Sequence, residues 1–199
     1  EDLDIMETTK ARIDTAKNIN LYMYRSLSYS YILILQSKYS VDAKIDALRD
    51  IYIKSMHYFL QAFNKRNPIY ADILNYVSLG VLLNIPDNNF RQLIDYVKQM
   101  DKQAKPSGCT PDLLLWFMLN SRMKEQEKQK YAETLAYPRL YNGLYKVIQA
   151  PNAAAAKDAL NKYLDRWYNL NSDAPWYNSH LKDNCYRGYW AWEVAAVAK

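Results

Sequence analysis

Tyr186-Arg187-Gly188-Tyr189-Trp190-Ala191-Trp192-Glu193-Val194-Ala195-Ala196-Val197-Ala198-Lys199 reads as a helix opened by Gly188 and apolar on nearly every side. A helix of that kind belongs in a core between other helices. It holds one carboxylate, Glu193. The residues three and four places away, Tyr189, Trp190, Ala196 and Val197, share its helical face and are all aromatic or apolar. A carboxylate so surrounded is expected to be buried, and a buried charge is costly unless paired and hydrogen-bonded. Glu193 is therefore expected to be a structural anchor, with Trp167, Trp190 and Trp192 buried beside it. Arg187, His180, Arg139 and Arg166 are its candidate partners.

The rest of the chain carries the same helical period. Apolar or small residues recur at spacings of three or four from Leu3 to Gln36, through Ile13, Ile19, Met23, Leu27 and Ile34. Ser40 is the expected N-cap of a second helix that runs to about Phe63, with Asp42 in its first turn. The short link 37–40 makes the two an antiparallel hairpin. Asn67-Pro68 opens a third helix to about Leu83, with Gly80 inside it as a point of close approach. Pro86-Asp87 opens a fourth to about Lys102. The segment from Lys102 to Pro111, with Pro106, Gly108 and Pro111, is the strongest punctuation in the chain and the expected domain boundary.

Beyond it, 112–120 is a short helix apolar all round, and 121–130 is polar and solvated. Further helices are expected over 138–149 and 153–168, and a long aromatic loop over 169–186 with one helical turn after Trp176. No stretch alternates as a strand would. The predicted fold is all-α, built of antiparallel helical hairpins in two packed groups, with an N-terminal domain over residues 1–105 and a C-terminal domain over 106–199.

Composition narrows the function classes. Half of the 199 residues are hydrophobic and 19 are tyrosines, which rules out a disordered chain. The net charge of +5 is spread along the chain, with no basic run longer than Lys65-Arg66, so a dedicated nucleic-acid groove is not expected. The longest apolar run, 31–35, is too short for a bilayer span. Cys109 and Cys185 form no metal or redox pattern, and of the two readings left, a disulfide or the reduced thiols of a cytoplasmic protein, the second is the simpler. No phosphate-cradling glycine loop, zinc motif or nucleophile elbow is present, so no cofactor and no metal is expected. An acid–base pair of Glu193 and His180 is the enzymatic alternative, and a helical nucleic-acid-binding module is another. Nothing in the sequence supplies the first with a nucleophile or an anion hole.

The order of several elements resembles a known family. Tyr137-Pro138, then 160–168 ending in Trp167-Tyr168, then Trp176-Tyr177-x-x-His180, and last Gly188-Tyr189-Trp190-x-Trp192-Glu193-x-Ala195-Ala196 are similar to the C-terminal part of the PoNi proteins. These are bacterial immunity proteins of PoNe-type polymorphic nuclease toxins. The two long N-terminal helices with Tyr76-Val77-Ser78-Leu79-Gly80 resemble, more loosely, the N-terminal part. The resemblance covers about the whole chain. It implies a non-enzymatic, all-helical cytoplasmic protein that neutralises a cognate antibacterial toxin by protein–protein contact. Toxins of this kind are delivered by contact-dependent routes such as type VI secretion, and many are DNases.

Two features depart from the family. Inhibitors that compete with DNA for a basic cleft are often acidic, and this chain is basic. A local acidic patch, a partner blocked away from its DNA cleft, and a partner that is not a nuclease each answer that. Family members also usually continue beyond the glutamate-bearing helix into an aspartate-bearing tail, so more chain is expected past Lys199. Exposed Trp and Tyr are favoured interface anchors. The partner-binding residues are therefore expected on the aromatic loop, at Trp176, Tyr177, His180 and Arg187, with a face of the N-terminal helices as the other placement.

Overall fold

A computed structural model describes residues 7, 8, 11, 21–63, 69–107 (backbone alone for 103–107), 111–181 and 188–199. It is all-helical: α1 Leu21–Ser40, α2 Ile45–Ala62, α3 Tyr70–Leu82, α4 Asp87–Ser107, α5 Leu113–Asn120, α6 Pro138–Ile148, α7 Ala153–Leu170 and α8 Trp192–Ala198. Short 3-10 turns lie at Glu125–Glu127 and Ser179–Leu181. Among the described residues there is no sheet, only an isolated bridge between Asp112 and Thr134, and no helix is long and apolar enough to cross a membrane.

The chain divides into two compact units, one of Glu1–Tyr76 with Leu83–Met100 and the other of Val77–Leu82 with Asp101–Lys199. In the first, α1 and α2 form a hairpin, burying Leu27, Tyr31 and Leu35 and the α2 stripe Leu48, Tyr52, Met56 and Phe59. The hairpin turn falls later than the sequence suggests. Ser40 is the last residue of α1, and its Oγ donates to the Gln36 carbonyl (2.8 Å) instead of capping α2. Asp42 is not in a first turn but in the link, with φ of 57°, in the left-handed region that Asp tolerates better than most residues. Lys44 stands at the N-cap of α2 with no side-chain cap bond.

Buried hydroxyls tie the elements of this unit together. The Ser55 Oγ donates to the Ser28 carbonyl (2.7 Å) and lies 2.6 Å from the Tyr76 hydroxyl, while the Tyr52 hydroxyl donates to the Tyr76 carbonyl (2.5 Å). Every one of these side chains is buried. Burial, first of all, raises the pKa of both phenols, so both stay neutral. Phe90, Leu93, Ile94 and Val97 form the buried stripe of α4, which continues past the expected end at Lys102 to Ser107. The Asn67-Pro68 start proposed for α3 lies outside the described residues, as does Cys109.

In the second unit, α5 buries Leu114, Leu115, Trp116, Met118 and Leu119, while Phe117 is 37% exposed. Its start is fixed by Asp112. One carboxylate oxygen caps the helix by accepting from the Leu115 amide (2.8 Å), and the other accepts from the Ala136 amide (2.7 Å). The end of α5 is clasped by Asn120, whose side-chain amide donates to the Gln129 carbonyl (2.7 Å) and whose Oδ1 accepts from the Gln129 amide (2.9 Å). Pro138 sits in the first turn of α6, and Asn152 caps α7 by accepting from the Ala155 amide (2.9 Å). α6 and α7 pack as a second hairpin. Gly143 is needed there because a Cβ would run into the Tyr163 ring.

The closing helix is shorter than its sequence suggests. Gly188–Ala191 is not helical, and α8 begins at Trp192. The Trp190 ring folds back over Gly188, where a Cβ would meet its Cε2 at 2.5 Å, and it stacks on Trp192 (5.2 Å, 17°). Past α8 the Lys199 ammonium donates to the carbonyls of Val81 (2.9 Å) and Leu82 (3.3 Å). These lie at the end of α3, where carbonyls lack helical partners and a cation is favoured.

Candidate functional site

Glu193 lies on the buried side of α8 at 7% exposure. Of the four expected partners, the three that are described, His180, Arg139 and Arg166, do not hold it. Its Oε1 accepts a hydrogen bond from the indole N–H of Trp167 on α7 (2.7 Å). Arg139 is spent on an exposed ion pair with Asp173 (2.5 Å), His180 bonds Tyr189, Arg166 is exposed, and Arg187 lies outside the described residues, as does Cys185. The apolar pattern predicts helix through Tyr189 and Trp190. With α8 starting at Trp192, those two residues do not share a helical face with Glu193, and Trp190 is half-buried. Trp167 and Trp192 are buried. Burial raises the pKa of Glu193, and the bond from Trp167 offsets part of the rise. Burial and then the Glu193 charge push the phenols of Tyr163 and Tyr141 upward.

The buried pair leads to the aromatic loop. The Trp167 ring stacks nearly parallel on Trp176 (5.3 Å, 14°). Trp176 also meets Tyr189 (5.5 Å) and Tyr168 (6.4 Å). Tyr168 in turn stacks on Tyr177 (4.5 Å, 28°). The Tyr168 hydroxyl donates to Asn178 Oδ1 (2.8 Å) and accepts from the Asn178 amide (3.2 Å), which fixes that residue in a left-handed conformation with φ of 59°. The Tyr189 hydroxyl is hydrogen-bonded to His180 Nδ1 and accepts from the His180 amide (3.2 Å). Trp176, Tyr177, Tyr168 and Tyr189 are half-buried, while His180 is exposed and Leu181 is 71% exposed. The loop is thus a set of interlocked rings with partly open surfaces.

The structure brings Trp176, Tyr177 and His180 into one cluster. It adds Tyr168 and Tyr189, which the sequence placed on regular helices. Their signal was spacing: Tyr168 follows the last inward Trp of α7, and Tyr189 directly follows the glycine that ends the loop. The cluster offers apolar rings, hydroxyls and one imidazole. Glu193 and His180 are engaged with different partners. Among the described residues, no group of three or more His, Cys, Asp or Glu side chains is placed to hold a metal ion.

Two family models match the chain. One, described as PoNe immunity protein (PoNi), N-terminal, covers residues 3–95. The other, PoNe immunity proteins (PoNi), C-terminal, covers residues 110–199. The chain belongs to the PoNi family of immunity proteins. No curated protein and no solved structure matches it.

Proposed function

We propose that this protein neutralises a cognate PoNe-type toxin, a DNase delivered by a contact-dependent route such as type VI secretion, by binding it in the cytoplasm of the producing cell. It performs no catalysis of its own. The observation that carries the reading is the interlocked loop, in which Trp176, Tyr177 and His180 are held by stacking and hydrogen bonds with part of each surface open. Rigid, partly exposed Trp and Tyr give contact area at little entropic cost, which is the pattern of interface hot spots. Arg187, the fourth residue expected to meet the partner within the C-terminal domain of residues 106–199, lies outside the described residues. The enzymatic alternative is disfavoured by Glu193, which is buried and bonded to an indole.

The test is co-expression with the toxin encoded immediately upstream. Protected cells are expected, and cells that die as fast as without the protein would overturn the reading. Trp176→Ala is expected to weaken toxin affinity by about 2 kcal/mol or more, as truncation of a hot-spot Trp does. An unchanged affinity would move the interface elsewhere, with a face of the N-terminal helices the next place to look. The protein is expected to show no DNA or RNA binding at low salt. Binding that weakens steeply with salt would favour the nucleic-acid alternative.

A further inference from the structure

We infer that Glu193 is a positioning residue for the binding loop: from inside the core it sets the ring of Trp167, and through that ring it sets Trp176. The inference rests on the loop being the toxin-binding surface, and it assigns a role to a residue that does not itself reach the partner.

The geometry is a relay of two contacts. Glu193 Oε1 accepts from Trp167 Nε1 at 2.7 Å, and the Trp167 ring lies against Trp176 at 5.3 Å and 14°. An indole has two torsions, and a flip about the second keeps the ring plane while carrying the N–H to the other side. Packing discriminates poorly between two such placements of a flat ring. The hydrogen bond does discriminate, because the flipped ring leaves a buried N–H and a buried carboxylate without each other. On either side of Trp176 the loop's backbone makes turn bonds, from the Tyr177 amide to the Ala174 carbonyl and from the Ser179 amide to the Trp176 carbonyl. The orientation of Trp176 is therefore set by the rings around it, and Trp167 is the one stacked parallel to it. Tyr177 and His180 are held by Tyr168 and Tyr189 instead. Glu193 should then affect Trp176 far more than it affects its loop neighbours.

A purely structural glutamate would stabilise the fold and leave the loop's internal order alone. The two roles separate in a double-mutant cycle. Glu193→Met removes the acceptor and keeps an apolar side chain of similar length. Glu193→Gln keeps an oxygen acceptor in the same place. Stacked indoles couple their transitions, and the protein holds two such pairs, Trp167–Trp176 and Trp190–Trp192, so the exciton couplet of the first pair is read in circular dichroism as the difference that Trp176→Ala makes. We expect Glu193→Met to abolish or strongly reduce the couplet and Glu193→Gln to retain it. Against the catalytically inactivated upstream toxin, Glu193→Met should weaken binding roughly 3- to 10-fold, the scale of re-ordering one or two loose side chains. In a Trp176→Ala background it should weaken binding no further. An intact couplet in folded Glu193→Met, or a loss that adds fully to that of Trp176→Ala, overturns the inference. If Trp176→Ala alone leaves affinity unchanged, the interface reading has failed, and the couplet still decides the relay. Should Glu193→Met not fold, Trp167→Phe keeps a ring for Trp176 and removes the N–H, and the same binding cycle applies.

Discussion

Two buried hydrogen-bonded clusters, one in each compact unit, use polar groups to opposite ends. In the first unit Tyr52, Ser55 and Tyr76 bond to one another and to backbone carbonyls, all neutral and all buried. The Tyr76 ring stacks on the buried Phe59 (4.0 Å, 24°), and the effect of the cluster is cohesion between α1, α2 and α3. In the second unit Glu193 is a titratable group with one indole donor, and its contacts run on through Trp167 to rings with open surface. A closed neutral cluster stabilises. A charged one that continues into stacked rings also orients. The difference also predicts which of the two clusters responds to pH.

The comparison breaks most visibly at Ser55. Ser55→Ala removes the donor to the Ser28 carbonyl and the closer partner of the Tyr76 hydroxyl, leaving the two buried groups only their long mutual contact (3.5 Å), so it should cost about 3 kcal/mol in urea unfolding. That cost should be flat between mildly acidic and neutral pH, because no member of the cluster titrates there. A smaller loss, about 2 kcal/mol, is expected from Gly143→Ala, where the new methyl must displace the Tyr163 ring and with it the α6–α7 packing that carries Trp167. Thermal melting would measure it.

Glu193→Gln sharpens the contrast through pH. The folded pKa of Glu193 lies above its ordinary value of 4.5. The folded state therefore holds the proton more tightly than the unfolded chain. Wild-type stability falls as pH rises from the ordinary carboxyl range through the raised folded value, and is level above it. The glutamine does not titrate, so its stability relative to wild type should improve with pH across that window. A difference that stays constant or shrinks would contradict the assignment of burial as the cause. The smallest effect belongs to Arg139→Ala. Its ion pair with Asp173 is exposed, and the loss should be under about 1 kcal/mol and vanish at high salt.

The helices were largely legible in the sequence because each buries one stripe at the period of the α-helix, as Phe90, Leu93, Ile94 and Val97 do in α4. What escaped were the places where local chemistry outweighs the period. Ser40 has the composition of a cap but bonds backward to Gln36, so the turn moves past it. Gly188–Ala191 has the apolar content of a helix, yet Trp190 lies over a bare glycine and Tyr189 turns to His180. Glu193 stood out as a lone carboxylate among apolar residues. Its partner did not, because a charge directs attention to arginine and histidine, while the group that meets it is an indole from a helix 26 residues away. The aromatic loop was visible as composition only. Which of its rings interlock depends on α7 and on the residues before α8, and no local pattern in the loop encodes that.

The clasp of Asn120 on Gln129 carries a consequence for how the protein ages. Asn120 is followed by Ser121, and an asparagine before a small residue is chemically prone to lose its amide through attack by the next backbone nitrogen. Here both ends of the amide are occupied by the Gln129 backbone, and the residue closes α5 in helical geometry. Both restraints slow the cyclisation. If the conversion does occur, the product presents an oxygen where an N–H had faced the Gln129 carbonyl, and the clasp turns from attraction to repulsion. Stored protein would then lose its grip on residues 121–129 before any helix is disturbed. One added dalton at Asn120 in a peptide mass spectrum would mark that onset.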